Sequence, residues 1–147
     1  MKKINAYGVV LYKIEDKSIK ILLCKSVKSR EKWGCLKDMQ IPNETPKECA
    51  KREFYEESSI KVQTYLFEEY FEQKNDEKNI GIWLVNTFKI PNLENYFFEE
   101  KLLENYLSWE NSKVKFFDLE NLPLIKKKQK QLVKEIKDFL QNKNQFH

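Results

Sequence analysis

Three acidic residues near the middle of the chain have the type and spacing needed for metal or acid–base chemistry. Glu53, Glu56 and Glu57 fall within five residues, and residues three and four apart share one face of a helix. Like charges at this spacing repel each other. The residues alone leave two explanations open: a solvated face with internal ion pairs, or oxygen ligands for Mg²⁺ or Mn²⁺, whose binding relieves the repulsion.

The segment that carries these acids has the signals of a helix that begins at Thr45 and ends near Ser58. Thr45 is a favourable N-cap, Pro46 suits the first turn, and Glu48 lies three residues after the cap, as in a capping box. Apolar side chains also recur at helical spacing in this segment. We therefore predict an amphipathic helix with one acidic side and one apolar side that faces the core.

The elements that must position this helix are predicted from the hydrophobic pattern. Apolar and β-branched segments predict strands, and a second amphipathic segment predicts a C-terminal helix. The order of these elements indicates an α/β (α+β) fold in which a mixed sheet lies between two main helices, in one domain spanning 1–147. The strands are predicted at 6–14, 19–24, 62–71, 80–90 and 114–117, the second helix at 124–140, and irregular segments at 25–46 and 92–110.

Composition narrows the function classes. The chain has 147 residues, 41% hydrophobic and 34% charged, and this balance is typical of a soluble globular domain. A net charge of +4 is too small to indicate duplex DNA or a membrane surface as partner. Cys24, Cys35 and Cys49 lack metal-site spacing and predict reduced thiols in the cytoplasm. The single histidine, His147, argues against a histidine-based site, so hydrolytic chemistry here would depend on carboxylates and a hard metal ion.

A longer string around the acids resembles the signature of the Nudix (MutT-like) hydrolases. It reads WGCLKDMQIPNETPKECAKREFYEESSI and begins at Trp33. The signature is a glycine, five residues, a glutamate, seven residues, and then Arg-Glu-apolar-x-Glu-Glu-x-Gly-apolar. The matching residues are Glu44, Arg52, Glu53, Phe54, Glu56, Glu57 and Ile60.

Both glycines of the signature are replaced in this chain. Asp38 and Ser59 occupy their positions, and Asn43 stands where many family members have another glycine. Asp and Asn tolerate left-handed backbone better than most residues, so we expect Asp38 and Asn43 to keep the turns, whereas Ser59 is a poorer helix cap. The whole chain has only three glycines, so their loss in the signature is weak evidence against activity.

The resemblance implies a Mg²⁺-dependent hydrolase, with Mn²⁺ as the alternative ion, that cleaves a diphosphate linkage attached to a nucleoside. Glu53 and Glu57 are the implied catalytic acids, Arg52 orients a glutamate through an ion pair, and Glu44 supports the loop or the outer metal shell. Asp38 adds a carboxylate where family members use a backbone carbonyl. The implied metal ligands are Glu53, Glu56, Glu57 and Asp38.

Two further strings are similar to the family branch that cleaves dinucleoside tetraphosphates. SWENSKVKFFDLENL begins at Ser108, and NIGIWLVNTF begins at Asn79. The similarity implies Glu110 as a metal ligand or general base, a role for which Glu99, Glu100 and Glu104 compete. The leading substrate is a dinucleoside polyphosphate such as diadenosine tetraphosphate. The alternatives are RNA 5′ ends, capped or triphosphorylated, and modified nucleoside triphosphates.

Candidate substrate contacts lie around the signature. A cluster of cations could meet the phosphates, although each of them equally suits a solvated loop. Aromatic rings could stack on a base, although most are expected to lie in the core. The cations are Lys25, Lys28, Arg30, Lys32 and Lys37, and the rings are Tyr7, Trp33, Trp83, Tyr96 and Trp109.

Two rival interpretations come from other function classes. The loss of the glycines at 38 and 59 would suit a Nudix-like module that binds a nucleotide without turning it over. A structural domain with an accidental run of acids would show no effect of divalent ions on thermal unfolding. The sequence leaves the nucleobase, the number of metals and the oligomeric state open.

Overall fold

A mixed eight-stranded sheet forms the centre of the computed structural model, which describes residues 3–145. The strand order is β4-β5-β1-β2-β8-β7-β6, and β3 pairs with β1 beside β2. β1 and β5 are parallel, and the neighbouring pairs are antiparallel. The strands are β1 Ile4–Glu15, β2 Ser18–Ser26, β3 Leu36–Met39, β4 Tyr70–Lys74, β5 Lys78–Asn86, β6 Phe97–Phe98, β7 Lys101–Leu102 and β8 Asn111–Asp118, and the helices are α1 Pro46–Ser58 and α2 Lys130–Gln145.

Two apolar clusters flank the sheet, one under each helix. Along β1, Val9 and Leu11 belong to the cluster under α1, whereas Val10 and Tyr12 belong to the cluster under α2. This alternation follows from the two-residue period of a strand. The predicted sandwich of a mixed sheet between two helices is therefore confirmed. None of the helices in the described part of the chain is both long and apolar enough to cross a lipid bilayer.

The ends of α1 are held by side chains that the sequence already indicated. The Thr45 hydroxyl accepts a hydrogen bond from the Glu48 amide at 3.1 Å, and the Glu48 carboxylate accepts one from the Thr45 amide at 2.9 Å, which confirms the capping box. Ser59 ends the helix in left-handed backbone with φ of 67°, and Asn43 is also left-handed. The expectation that Asp38 holds a turn is wrong, because it pairs with Tyr7 inside the sheet.

Other differences from the predicted elements have local causes. The predicted strand 62–71 contains a 3₁₀ turn at Thr64–Leu66, and β4 begins only at Tyr70. β5 ends early because the Asn86 side chain accepts a hydrogen bond from the Phe88 amide at 3.0 Å and starts a 3₁₀ turn. The segments predicted to be irregular contain β3 and the β6–β7 hairpin. Strands of two to four residues are too short to produce a periodic signal.

Candidate active site

Two of the three clustered glutamates are buried, although they lie on an otherwise polar side of α1. The packing of Ala50 and Phe54 against the sheet orients the helix, and this leaves Glu53 and Glu57 only 5% and 9% exposed. Glu56, by contrast, has an exposed side chain. Burying a carboxylate is unfavourable unless a partner compensates for the lost water. The bland explanation, a solvated helix face, therefore does not describe Glu53 and Glu57.

A cavity of about 460 Å³ opens beside these acids. It lies between α1, β3 and the segment 107–110 that precedes β8. Leu107, Ser108 and Trp109 form the wall that faces the helix. The structure thus brings the four predicted metal ligands and Glu110 to one place. The carboxylates that line the cavity are Asp38, Glu53, Glu56, Glu57 and Glu110.

Arg52 connects the acids of α1 to the preceding loop. Its guanidinium binds Glu44 in a bidentate manner, with Nε–Oε2 and Nη2–Oε1 distances of 2.6 Å and 2.9 Å. Nη1 also donates to Glu53 Oε1 at 2.8 Å. This pairing raises the pKa of Arg52 and lowers that of Glu44. A bidentate pair fixes both position and orientation, so Arg52 holds the Glu53 carboxylate at the edge of the cavity.

Glu57 is held by Asn111, the first residue of β8, which follows the segment 107–110. Glu57 Oε1 accepts a hydrogen bond from Asn111 Nδ2 at 3.0 Å, whereas Oε2 is buried and has no partner among the described residues. Burial raises the pKa of Glu57 to about 7, against the opposing effects of Asn111 and Lys37. Sequence reasoning missed Asn111, because an asparagine at the start of a strand has no local signal for this role.

The charges of the remaining acids depend on one another. Burial, the contact with Glu56 and the charge of Asp38 raise the pKa of Glu53. The contact with Glu53 lowers the pKa of Glu56. Clusters in which the pKa values of neighbouring acids are shifted in opposite directions are typical of functional sites.

A comparison with family models identifies the family of this chain. The model of the NUDIX domain matches residues 2–141. The chain belongs to the Nudix family. Membership places it among the pyrophosphohydrolases, the enzymes that hydrolyse diphosphate linkages, and confirms the resemblance seen in the sequence.

Solved structures of other Nudix proteins share the fold. A C. elegans Ap4A hydrolase in a binary complex has 21% sequence identity and a TM-score of 0.65, with 95% of this chain and 98% of that chain covered. A MutT from a study of Aliivibrio salmonicida and Vibrio cholerae has 15% identity and a TM-score of 0.58, with 94% and 98% covered. A Bacillus halodurans MutT has 13% identity and a TM-score of 0.60, with 91% and 82% covered. No curated protein matches the chain.

The cavity has the donor set that a Nudix metal site needs. Mg²⁺ and Mn²⁺ prefer carboxylate oxygens together with phosphate oxygens, and the buried Glu57 Oε2 lacks a partner. Among residues 3–145, no three acidic, cysteine or histidine side chains are already arranged around one point that would hold an ion. The acids therefore fit a divalent ion by type and location, and binding would draw their side chains together.

Two lysines lie close to each other, and neither of them lines the carboxylate cavity. Lys37 of β3 is near enough to Glu57 to lower the pKa of that carboxyl. Lys78, at the start of β5, has its pKa lowered by burial and then by the neighbouring charge of Lys37. Lys37 faces Gly8 across the β1–β3 pair, and a side chain at position 8 would collide with the Leu36 carbonyl and with Lys37 Cβ. The sequence analysis named Lys37 as a candidate substrate contact but did not name Lys78. A lysine at the first position of an apolar strand gives no indication of a neighbouring charge.

Several of the predicted substrate contacts lie apart from the cavity. Trp33 is only 9% exposed and packs on Phe117 in the cluster under α2, with ring centroids 4.6 Å apart, so its ring is not available for stacking on a base. Lys25 lies over the Trp33 ring at 5.6 Å. Lys28 and Arg30 are exposed in the turn after β2, and neither lines the carboxylate cavity.

The acids that compete with Glu110 are placed elsewhere. Glu100 pairs with Lys13 at 2.6 Å and with Lys20 at 2.9 Å. Glu99 and Glu100 line a larger cavity of about 660 Å³ at the carboxyl ends of β1 and β5, which contains none of the acids of α1. Glu104 is exposed and does not line the carboxylate cavity. Of the four candidates, Glu110 alone lines it.

The raised pKa of Glu57 predicts how stability depends on pH when divalent ions are chelated. Because the folded-state pKa of about 7 exceeds the ordinary value of 4.5, the native state binds more protons than the unfolded state, and the free energy of unfolding falls as pH rises. We expect a loss of about 2–3 kcal/mol between pH 4.5 and pH 7, from ~1.4 kcal/mol per pKa unit. Urea unfolding in EDTA across this range measures it.

Glu57→Gln should remove the part of this pH dependence that Glu57 contributes, because the amide keeps the hydrogen bond with Asn111 but does not titrate. The raised pKa of Glu53 contributes with the same sign and should remain. The exposed Glu77, in the β4–β5 turn, supplies the control variant Glu77→Gln, which should behave as the wild type. Parallel curves for Glu57→Gln and the wild type would show that Glu57 is not the group responsible.

Proposed function

We propose that this Nudix enzyme hydrolyses a dinucleoside polyphosphate, with diadenosine tetraphosphate as the leading example. Mg²⁺, or alternatively Mn²⁺, would be held by the four acids predicted from the sequence, Asp38, Glu53, Glu56 and Glu57. The observation that carries the proposal is the cavity in which five carboxylates meet and a buried Glu57 oxygen has no partner. The similarity over nearly the full length of an Ap4A hydrolase supports this choice within the family.

The chain's own residues have separable roles in this reaction. Hydrolysis forms a bond from a water oxygen to phosphorus and breaks one P–O–P bond, and the proton of the water passes to a carboxylate. Glu57 and Glu110, on facing walls of the cavity, are the two candidates for accepting this proton. Burial raises the pKa of Glu57 to about 7 in the ion-free site, and an ion held by the same carboxylate would lower it. Arg52 keeps Glu53 in position. A bound Mg²⁺ would neutralise phosphate oxygens and lower the pKa of the water.

A second cavity supports a substrate with a nucleoside at each end. It has a volume of about 470 Å³ and shares Asp38 and Glu53 with the carboxylate cavity. Its other wall includes Met39 and Ile41, whose side chains are exposed. A substrate with its scissile linkage at the shared acids would extend one half into each cavity.

A substrate panel tests the proposal. Diadenosine tetraphosphate, nucleoside triphosphates, modified nucleoside triphosphates, and capped and triphosphorylated RNA are incubated with Mg²⁺ or Mn²⁺, and the products are separated by chromatography. We expect the highest kcat/KM for the dinucleoside polyphosphate. A kcat/KM at least tenfold higher for an RNA end or a modified triphosphate would show that the proposed substrate is wrong, although the enzyme would still be a pyrophosphohydrolase.

The rival to this proposal is a module that binds nucleotides without turnover. This alternative was suggested by the loss of the two glycines of the signature. However, Ser59 adopts the left-handed backbone that a glycine would supply, and its hydroxyl donates a hydrogen bond to the Tyr106 carbonyl at 3.2 Å. Nucleotide binding with no product above background would favour the module. We propose a cytoplasmic location, which is compatible with three buried, free thiols.

A further inference from the structure

Trp109 is displayed at the carboxylate cavity by a turn that is anchored on both sides. The Asn111 amide donates to the Ser108 carbonyl at 3.2 Å, and the Val27 amide donates to the Glu110 carbonyl at 2.8 Å. Asn111 also holds Glu57. Asn111 therefore contacts both Glu57 and the turn, which links the position of the turn that carries Trp109 to that of Glu57.

The exposure of Trp109 sets it apart from the other aromatic candidates. Its side chain is 83% exposed, while Trp83 stacks on Phe67 and Tyr70 with ring centroids 5.4 Å and 4.6 Å apart. Tyr96 is paired with Tyr106 at 4.7 Å. Trp109 has no aromatic partner in the part of the chain that the structure describes. A large apolar ring held in water beside a reactive cavity is available to a ligand.

A second feature of the same wall also lacks a partner. Ser108 lines the cavity, and its hydroxyl oxygen is buried and makes no hydrogen bond with any described residue. A polar atom in this condition is usually satisfied by water or by a ligand. The wall opposite α1 therefore presents an exposed indole to the cavity, with an unpartnered hydroxyl buried behind it that a small movement of the turn could bring to a ligand.

We propose that Trp109 is a specificity-determining residue that stacks on one nucleobase of the substrate. This inference rests on the proposed function, since it assumes a nucleotide in the cavity. The acids can attract only the phosphates, through a metal ion, whereas the base is the large, flat, uncharged part of such a substrate. Purines offer a larger stacking surface than pyrimidines, so a purine preference follows.

The test compares substrates with and without a base. Trp109→Ala should raise the KM for a purine nucleoside polyphosphate about tenfold, with a smaller change in kcat, because base–aromatic stacking is worth roughly that factor or more. Trp109→Phe should restore most of the affinity. The inhibition constant of inorganic tripolyphosphate, which has no base, should stay the same in all three proteins.

A fluorescence titration gives a readout that does not depend on turnover. Nucleotide binding should quench the exposed indole of the wild type, and Trp109→Phe should abolish most of the quenching while binding persists. Phe88→Ala, which removes an exposed ring from the larger cavity, is the control and should leave KM unchanged. An unchanged nucleotide KM in Trp109→Ala, or an equal loss for tripolyphosphate, would overturn the stacking role, even where the wild type hydrolyses nucleotides as proposed.

Discussion

Glu57→Gln is expected to lower kcat for the preferred nucleotide by about a thousandfold, the range associated with the loss of a proton-transfer group. The amide has the shape of the carboxylate and can still accept the hydrogen bond from Asn111, so the fold and nucleotide binding should persist. What the variant loses is a negative oxygen that can hold a metal ion or accept a proton. Steady-state kinetics, combined with nucleotide binding measured by calorimetry, separate these effects.

The exposed Glu77→Gln serves as the control for this experiment and should retain wild-type kcat. Near-wild-type turnover in Glu57→Gln would remove this residue from the catalytic machinery and leave the reaction to Glu53, Glu56 and Glu110. A loss of both turnover and the cooperative unfolding transition would instead show that Glu57 is needed for folding, which the hydrogen bond retained by the amide argues against.

The second large effect concerns divalent ions and thermal unfolding. At pH 8, saturating Mg²⁺ should raise Tm by about 5–10 °C over the protein in EDTA, because a ligand at a hundred times its Kd stabilises the native state by ~2.7 kcal/mol. An ion at the proposed site would compensate the buried charge of Glu53 and Glu57 and supply a partner for Glu57 Oε2. The effect should shrink at pH 5, where protons compete with the ion for the carboxylates.

Differential scanning fluorimetry with Mg²⁺, Mn²⁺ and EDTA measures this shift. Glu53→Gln and Glu57→Gln should each lose most of it, whereas Glu77→Gln should keep it. Were all four proteins to shift equally, the ions would be binding elsewhere on the chain, and the proposed metal site would fail even though the family assignment stands.

Much of the fold was accessible from local patterns. The capping box at Thr45, the extent of α1 and the alternation of β1 are all encoded within a few neighbouring residues, so propensity and periodicity predict them. β3 and the β6–β7 hairpin were not predicted, because strands of two to four residues are too short to show a hydrophobic periodicity. The left-handed Asn43 was expected from its residue type, but Asp38 was not seen as a strand residue, because only its pairing with β1 makes it one.

By itself the sequence determined the family, the acidic helix and the identity of the acids, because all of these depend on residue types at fixed short spacing. Only the tertiary structure decided which side chains share a cavity. Asn111 reaches Glu57 across 54 residues, Lys78 meets Lys37 through the strand order, and Trp33 is buried while Trp109 is exposed. These outcomes depend on strand register and on which face each residue occupies, and contacts between distant segments leave no trace in local spacing.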